Sequence, residues 1–235
     1  SRNRGTISVN ECQILAHYRY EAEQFILTIS CPEIAQTTLP GQFVHITVSG
    51  ELAMRRPISI MSVDKDNGTF DLLYKIVGEG TRQLAERKIG DILSVIGPIG
   101  NGFQMTDKKI PLLIGGGVGM PPIIAIAQNI KDNDYYSPYV ILGSEVPFPF
   151  TPISSNLAGF YSSTLKTMPL LEDWNIACSL ASLQNFKGVY NGYVTTLASE
   201  YLDSLSEDDL LQVEIFSCGP HPMLEAVSQL AKDYK

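Results

Sequence analysis

No apolar run in these 235 residues approaches the roughly 18 that a membrane-crossing helix needs. The chain does not open on a basic stretch followed by an apolar one, so no export signal is expected and the cytoplasm is the expected compartment. Lys and Arg total 17 against 25 Asp and Glu, a net charge of −8, and they nowhere cluster enough to neutralise several phosphates. Neither a nucleic acid nor a membrane is therefore an expected partner. Cysteine is scarce: Cys12, Cys31, Cys178 and Cys218 form no CxxC pair, which argues against a disulfide framework or metal ligation by these four. Histidine is scarcer, with only His17, His45 and His221, far apart. Internal repeats and low-complexity segments are absent. What remains is 44% hydrophobic and 18% charged, the make-up of a folded chain rather than a disordered one. Its length suits two domains of about 100–130 residues.

The first hundred residues alternate short β-rich runs with turn residues. Six strands are expected at residues 6–14, 24–30, 42–48, 57–63, 69–77 and 91–96, with Asn67-Gly68 as a strong hairpin signal. Such spacing predicts a small antiparallel barrel, interrupted by one helix over 81–87 with Thr81 as its N-cap. Beyond Gly102 the pattern becomes strand and helix in alternation. Strands are expected at 110–114, 139–143, 175–179 and 213–217, and helices near 121–131, 194–204 and 221–232, which implies a parallel sheet. The expected domains are 1–104 and 105–235, joined through the polar segment 104–109. The aromatic, proline-rich stretch Glu145 to Pro152 reads as a loop.

The most informative stretch is KIPLLIGGGVGMPPIIAI, from Lys109 to Ile126. A buried strand runs into Gly115, Gly116, Gly117 and Gly119, and Pro121 and Pro122 then suit a first helical turn. Glycines let a ligand approach the backbone, and a helix N-terminus attracts phosphate. Alone, such a turn serves any α/β domain. In the first domain, Arg55-Arg56-Pro57-Ile58-Ser59 starts a strand, and Tyr74-Lys75 leads into Gly78-Glu79-Gly80-Thr81. Arginine matches a pyrophosphate bidentately, and the Gly80-Thr81 amides can hold another of its oxygens.

RRPIS, YKIVGEGT, GPIGNGF, IGGGVGMPP and SCGPHPML occur in the order found in the ferredoxin reductase-like flavoproteins. Within them the chain most resembles the electron-transfer subunits of NAD-dependent dihydroorotate dehydrogenases. The resemblance implies an FAD-binding barrel followed by an NAD-binding α/β domain, with the flavin between them. It implies that Arg56 contacts the FAD pyrophosphate, Pro57 and Ile58 border the isoalloxazine, and Ser59 approaches its reactive edge. Tyr74, Lys75, Gly80 and Thr81 would complete that site. NAD(H) would lie across Gly115, Gly116, Gly117 and Gly119 and across Cys218, Gly219 and Pro220. Ser59 and Cys218 are then the residues nearest the chemistry, although hydride transfer between nicotinamide and flavin requires no nucleophile from the protein. Glu145, with no arginine cluster near it, favours a free ribose hydroxyl and hence NAD over NADP.

Two departures from the family pattern stand out. Ser179 to Gln184 occupies the place of an Asp-Gly-containing turn after the third strand, and no closely spaced cysteine quartet for a [2Fe–2S] cluster occurs up to Lys235. Either that segment lies outside this sequence or the chain is a cluster-free relative. The implied function is to pass electrons from an FMN-containing dihydroorotate dehydrogenase catalytic subunit, its partner in a heterotetramer, through FAD to NAD in pyrimidine biosynthesis. The alternatives are a stand-alone NAD(P)H-dependent ferredoxin or sulfur reductase of the same fold, and an adapter that binds no flavin.

Overall fold

A computed structural model of the chain describes residues 7–48, 55–157 and 166–234. It divides into two compact units, Ser1–Phe103 and Gln104–Lys235.

The first unit is a closed antiparallel barrel. Its strands are β1 (Ser8–Tyr20), β2 (Gln24–Ser30), β3 (Phe43–Thr47), β4 (Arg56–Asp64), β5 (Thr69–Lys75) and β6 (Ile92–Ile99), hydrogen-bonded in the order β1-β2-β5-β4-β3-β6. Period-two alternation turns Ile14, Leu27, Ile29, Val44, Ile46, Phe70, Leu72, Leu93 and Val95 into one core cluster. The expected Asn67-Gly68 hairpin joins β4 to β5: Gly68 sits at φ +65, and the Asp64 carboxylate accepts from the Asn67 amide at 2.9 Å.

The barrel differs from expectation in the end of β1, in an additional helix, and in the expected 81–87 helix, which runs over Glu79–Ala85 instead. β1 continues six residues past Ile14, because a bulge between Ile14 and Ala16 breaks the alternation that would have revealed it; its expected first residue, Thr6, lies outside the described residues. Among the described residues the barrel carries two α-helices rather than one, α1 (Pro32–Thr37) and α2 (Glu79–Ala85). α1 escaped notice because it is only six residues long and enters through Cys31, whose side chain makes no cap hydrogen bond.

The second unit opens with β7 (Ile110–Gly116), a 3₁₀ turn over Gly117–Gly119 and α3 (Met120–Ile130). Then come β8 (Tyr139–Gly143), a small β9 (Ile153–Ser154) and β10 (Lys166–Thr167) ribbon, α4 (Pro169–Asp173), β11 (Ala177–Ser182) and β12 (Tyr190–Asn191). α5 (Val194–Ser204), α6 (Glu207–Leu210), β13 (Val213–Cys218) and α7 (His221–Asp233) finish it. The sheet order is β12-β11-β8-β7-β13, every pair parallel. α3 is apolar on nearly every side and is buried accordingly, with Ile123 and Ile126 at 0% exposure. Truncating either to alanine costs about 2–5 kcal/mol. α5 and α7 instead present one apolar stripe each, Val194, Leu197 and Leu202 on one and Val227 and Leu230 on the other, to the cluster built on Leu112, Ile114 and Ile141.

The third large strand was expected two residues too early. Asn175 takes a left-handed φ of 58 in the turn after α4, so β11 begins at Ala177. Ser179 to Ser182 are thus strand residues, and the turn that departs from the family pattern starts only at Leu183.

Candidate functional site

In the barrel unit the decisive feature is the approach of Arg56 to Gly80. Arg56 starts β4 and Gly80 lies in the first turn of α2, and a Cβ on Gly80 would fall 2.1 Å from Arg56 Nε and 3.0 Å from both Cζ and Nη2. The guanidinium therefore lies across the start of α2 only because residue 80 has no side chain. Thr81 is not the N-cap. Gly78 holds that position, and the Thr81 hydroxyl, three residues in, accepts from the Val77 and Gly78 amides at 2.9 and 3.2 Å and donates to the Gly78 carbonyl at 3.0 Å. Those bonds occupy the Thr81 side chain, so what the helix start offers a ligand is backbone N–H groups rather than this hydroxyl.

The other residues of this motif divide by burial. Pro57 is exposed and Ser59 half-buried, while Ile58 is 6% exposed and belongs to the barrel's apolar cluster. Lys75 ends β5 half-buried, opposite Gln24. Tyr74 is a core residue: it stacks on Phe25 at 5.2 Å, and its hydroxyl bonds His17 Nε2 at 2.8 Å. Burial pushes that hydroxyl above its ordinary value, so it stays protonated.

In the second unit the chain runs from β7 to β8 and β11 on one side, then crosses to β13 on the other. The switch point lies between β7 and β13, and ligands of open α/β sheets bind outside the carboxyl ends of the strands there. The register sets Cys218 beside Gly115 and Gly116 beside Gly143. Gly119 has no room for a side chain: a Cβ would meet the Cys218 carbonyl oxygen at 2.4 Å and Gly219 Cα at 2.6 Å. Gly117, at φ +55, has open space in its Cβ direction. The result is a bare backbone surface made by two segments a hundred residues apart.

Met223, which sequence reasoning passed over although it lies within SCGPHPML, packs beneath this surface. Its thioether fills the places that Cβ atoms of Gly116 and Gly219 would take, at 2.6 Å from Sδ and 2.5 Å from Cε respectively. Ser217 adds a buried hydroxyl without a hydrogen-bond partner among the described residues. Cys218 is half-buried, and burial raises its thiol above the ordinary value, so it is a neutral thiol and not a nucleophile. Glu145 is exposed just beyond β8, behind Ser144, whose amide donates to the Ala181 carbonyl at 3.1 Å. Pro220 is exposed at the N-cap of α7.

A family profile described as "Oxidoreductase FAD-binding domain" matches residues 13–103. The protein named dihydroorotate dehydrogenase B (NAD(+)), electron transfer subunit, from Listeria monocytogenes is 34% identical over 208 residues, covering 87% of this chain and 71% of the relative. The chain belongs to that subunit family. A subunit of the same name from Lysinibacillus sphaericus is 32% identical over 201 residues, covering 83% of this chain and 68% of the relative. Among solved structures, an NADH-dependent reduced ferredoxin-NADP oxidoreductase superposes with a TM-score of 0.73 at 24% identity, over 94% of this chain and 71% of that one, a likeness of fold.

This member of the dihydroorotate dehydrogenase B electron transfer subunit family is an FAD-dependent oxidoreductase, with the FAD-binding domain in the barrel. The residues present fit that cofactor, since Arg56 and the bare Gly80 form a cationic cradle for a diphosphate. Among the described residues no three His, Cys, Asp or Glu side chains gather to hold a metal. No described helix is long and apolar enough to cross a membrane.

Proposed function

We propose that the chain is the cytoplasmic subunit that carries electrons from an FMN-containing dihydroorotate dehydrogenase catalytic subunit to NAD, a step of pyrimidine biosynthesis. FAD would supply the two-electron chemistry, exchanging hydride with a nicotinamide. Arg56, lying against Gly80, would hold the FAD diphosphate, and Ser59, two residues after Pro57 on the same strand, would offer the flavin a hydroxyl. Lys75, ending the neighbouring strand, adds positive charge near that diphosphate. Gly115, Gly116, Gly117 and Gly119 would let NAD(H) reach the backbone, and Cys218, Gly219 and Pro220 would lie on the nicotinamide side. Cys218 holds its proton throughout and acts by shape. Glu145 accepts from a ribose hydroxyl and repels a 2′-phosphate.

The observation that carries the reading is the fit of Gly119 against the Cys218 backbone at the sheet's switch point, in a chain whose other unit is an FAD-binding oxidoreductase domain. The test is a reconstitution. The FAD-loaded chain, mixed with the FMN-containing catalytic subunit of its own organism, is assayed for dihydroorotate-dependent reduction of NAD. Reduction that needs both proteins supports the proposal. A chain that reduces a ferredoxin from NADH and never responds to dihydroorotate is a reductase of the same fold instead.

A further inference from the structure

Cys12 on β1 and Cys31, directly after β2, lie on opposing strands at the open end of the β1–β2 hairpin, and the register sets them face to face. Gln13 pairs with Ser30 and Ile14 with Ile29, so one further step places Cys12 opposite Cys31. The Cys31 amide donates to the Gly68 carbonyl at 2.9 Å, on the β5 side, and the Ile14 amide donates to the Asp91 carbonyl at 2.9 Å, on the β6 side. The backbone groups of alternate residues along a strand face the same neighbour, so Cys12, two before Ile14, also points its own toward β6. The two cysteines are thus a non-hydrogen-bonded pair, whose Cα atoms sit about 4.5 Å apart. A disulfide spans Cα separations of about 4.4–6.8 Å.

Both side chains turn into the barrel, at 1% and 3% exposure, and both are free thiols. The Cys12 thiol donates to the Asn10 carbonyl at 3.6 Å and the Cys31 thiol to the Glu33 carboxylate at 3.6 Å. The neighbouring Cys12 thiol draws the Cys31 thiol below its ordinary value, against burial and Glu33. Cys12 is pushed up by its Cys31 neighbour first and by burial, with Glu33 and Glu11 adding to the effect. The direction of the two shifts makes Cys31 the attacking sulfur and Cys12 the resolving one.

We propose that Cys12 and Cys31 are a redox-responsive pair that closes into a cross-strand disulfide when the protein meets a hydroperoxide. The Cys31 thiolate attacks hydrogen peroxide, an S–O bond forms as the O–O bond breaks, and the departing oxygen takes up a proton and leaves as water, giving a sulfenic acid. The Cys12 sulfur then attacks the Cys31 sulfur, the S–S bond forms, the S–O bond breaks and a second water leaves. Two thiols and one hydrogen peroxide yield one disulfide and two waters, the thiols giving up two electrons. Neither cysteine belongs to the flavin or nucleotide cradle, so the pair acts as a staple between β1 and β2. It stabilises the barrel by restricting the unfolded chain.

The FAD-loaded chain is treated with hydrogen peroxide, alkylated with iodoacetamide and mapped by non-reducing peptide mass spectrometry. The expected product is a peptide pair joined through Cys12 and Cys31, two hydrogens lighter than the reduced pair and restored by dithiothreitol, with a higher melting midpoint before reduction. In Cys12→Ser the link is lost and Cys31 accumulates as sulfenic acid. The wild-type map decides the matter even if that variant folds poorly. Cys12 and Cys31 both alkylated after an exposure that oxidises Cys218, Cys31 over-oxidised without a link, or links formed only between molecules would each overturn the proposal.

Discussion

Replacing Gly80 with alanine separates flavin binding from stability more cleanly than removing the arginine does. The new Cβ would lie 2.1 Å from Arg56 Nε, where ordinary contact begins at 3.4 Å, so the guanidinium must retreat by more than an ångström. Gly80 is inside α2 and has no left-handed φ, so alanine is at home in the backbone. It stabilises the flavin-free chain by about 0.4–1 kcal/mol through the unfolded state. The displaced guanidinium forfeits a charge-assisted contact of about 1.5–3 kcal/mol, which is a ten- to hundredfold loss of FAD affinity. Arg56→Ala should cause a similar loss, and the double variant should lose no more than either single one, because both changes remove the same contact. Fluorescence titration of FAD and thermal melts of all four proteins check this. Wild-type flavin affinity in Gly80→Ala, or losses that add in the double variant, would refute the reasoning.

Three other outcomes follow from the second unit. Gly119→Ala meets rigid backbone rather than a flexible side chain, with its Cβ 2.4 Å from the Cys218 carbonyl oxygen, so NADH should no longer bleach the flavin at a measurable rate while the FAD content stays near one per chain. NADH should reduce the flavin at least tenfold faster than NADPH, and Glu145→Arg should narrow the gap, as steady-state rates with each nucleotide would report. Burial pushes Cys178, Tyr139 and Tyr201 each up to about 12 from ordinary values of 9.0, 10.0 and 10.0. The unfolded chain releases these protons first, so the stability they contribute is intact below pH 9 and falls through the window from about 9 to 12. The slope is about 1.4 kcal/mol per pH unit for each group then titrating, measurable as denaturant midpoints against pH.

Much of the architecture was legible in the sequence because local and global preferences agree. β2 and α5 have the bounds that alternation and helical spacing predict, and the glycine run after β7 announced a switch point. Where local signals conflict with tertiary structure, the reading slipped. The bulge after Ile14 hid half of β1, and a capping pattern with glycine at the cap and threonine three residues later put Thr81 in the wrong role. Tyr74 lies in a motif and points into the core, a distinction that sequence position cannot make. The placement of Met223 under two glycines and the pairing of Cys12 with Cys31 depend on contacts between distant segments, and no periodicity encodes those.

The account's central claim is that one chain holds FAD on its barrel and admits NAD(H) at the β7–β13 switch point for hydride exchange. An anaerobic stopped-flow experiment that mixes the FAD-loaded chain with NADH tests it most directly. The account predicts saturable bleaching of the flavin, complete at one NADH per FAD and abolished by Gly119→Ala. A flavin that stays oxidised in excess NADH, or one bleached at the same rate in Gly119→Ala, would contradict it.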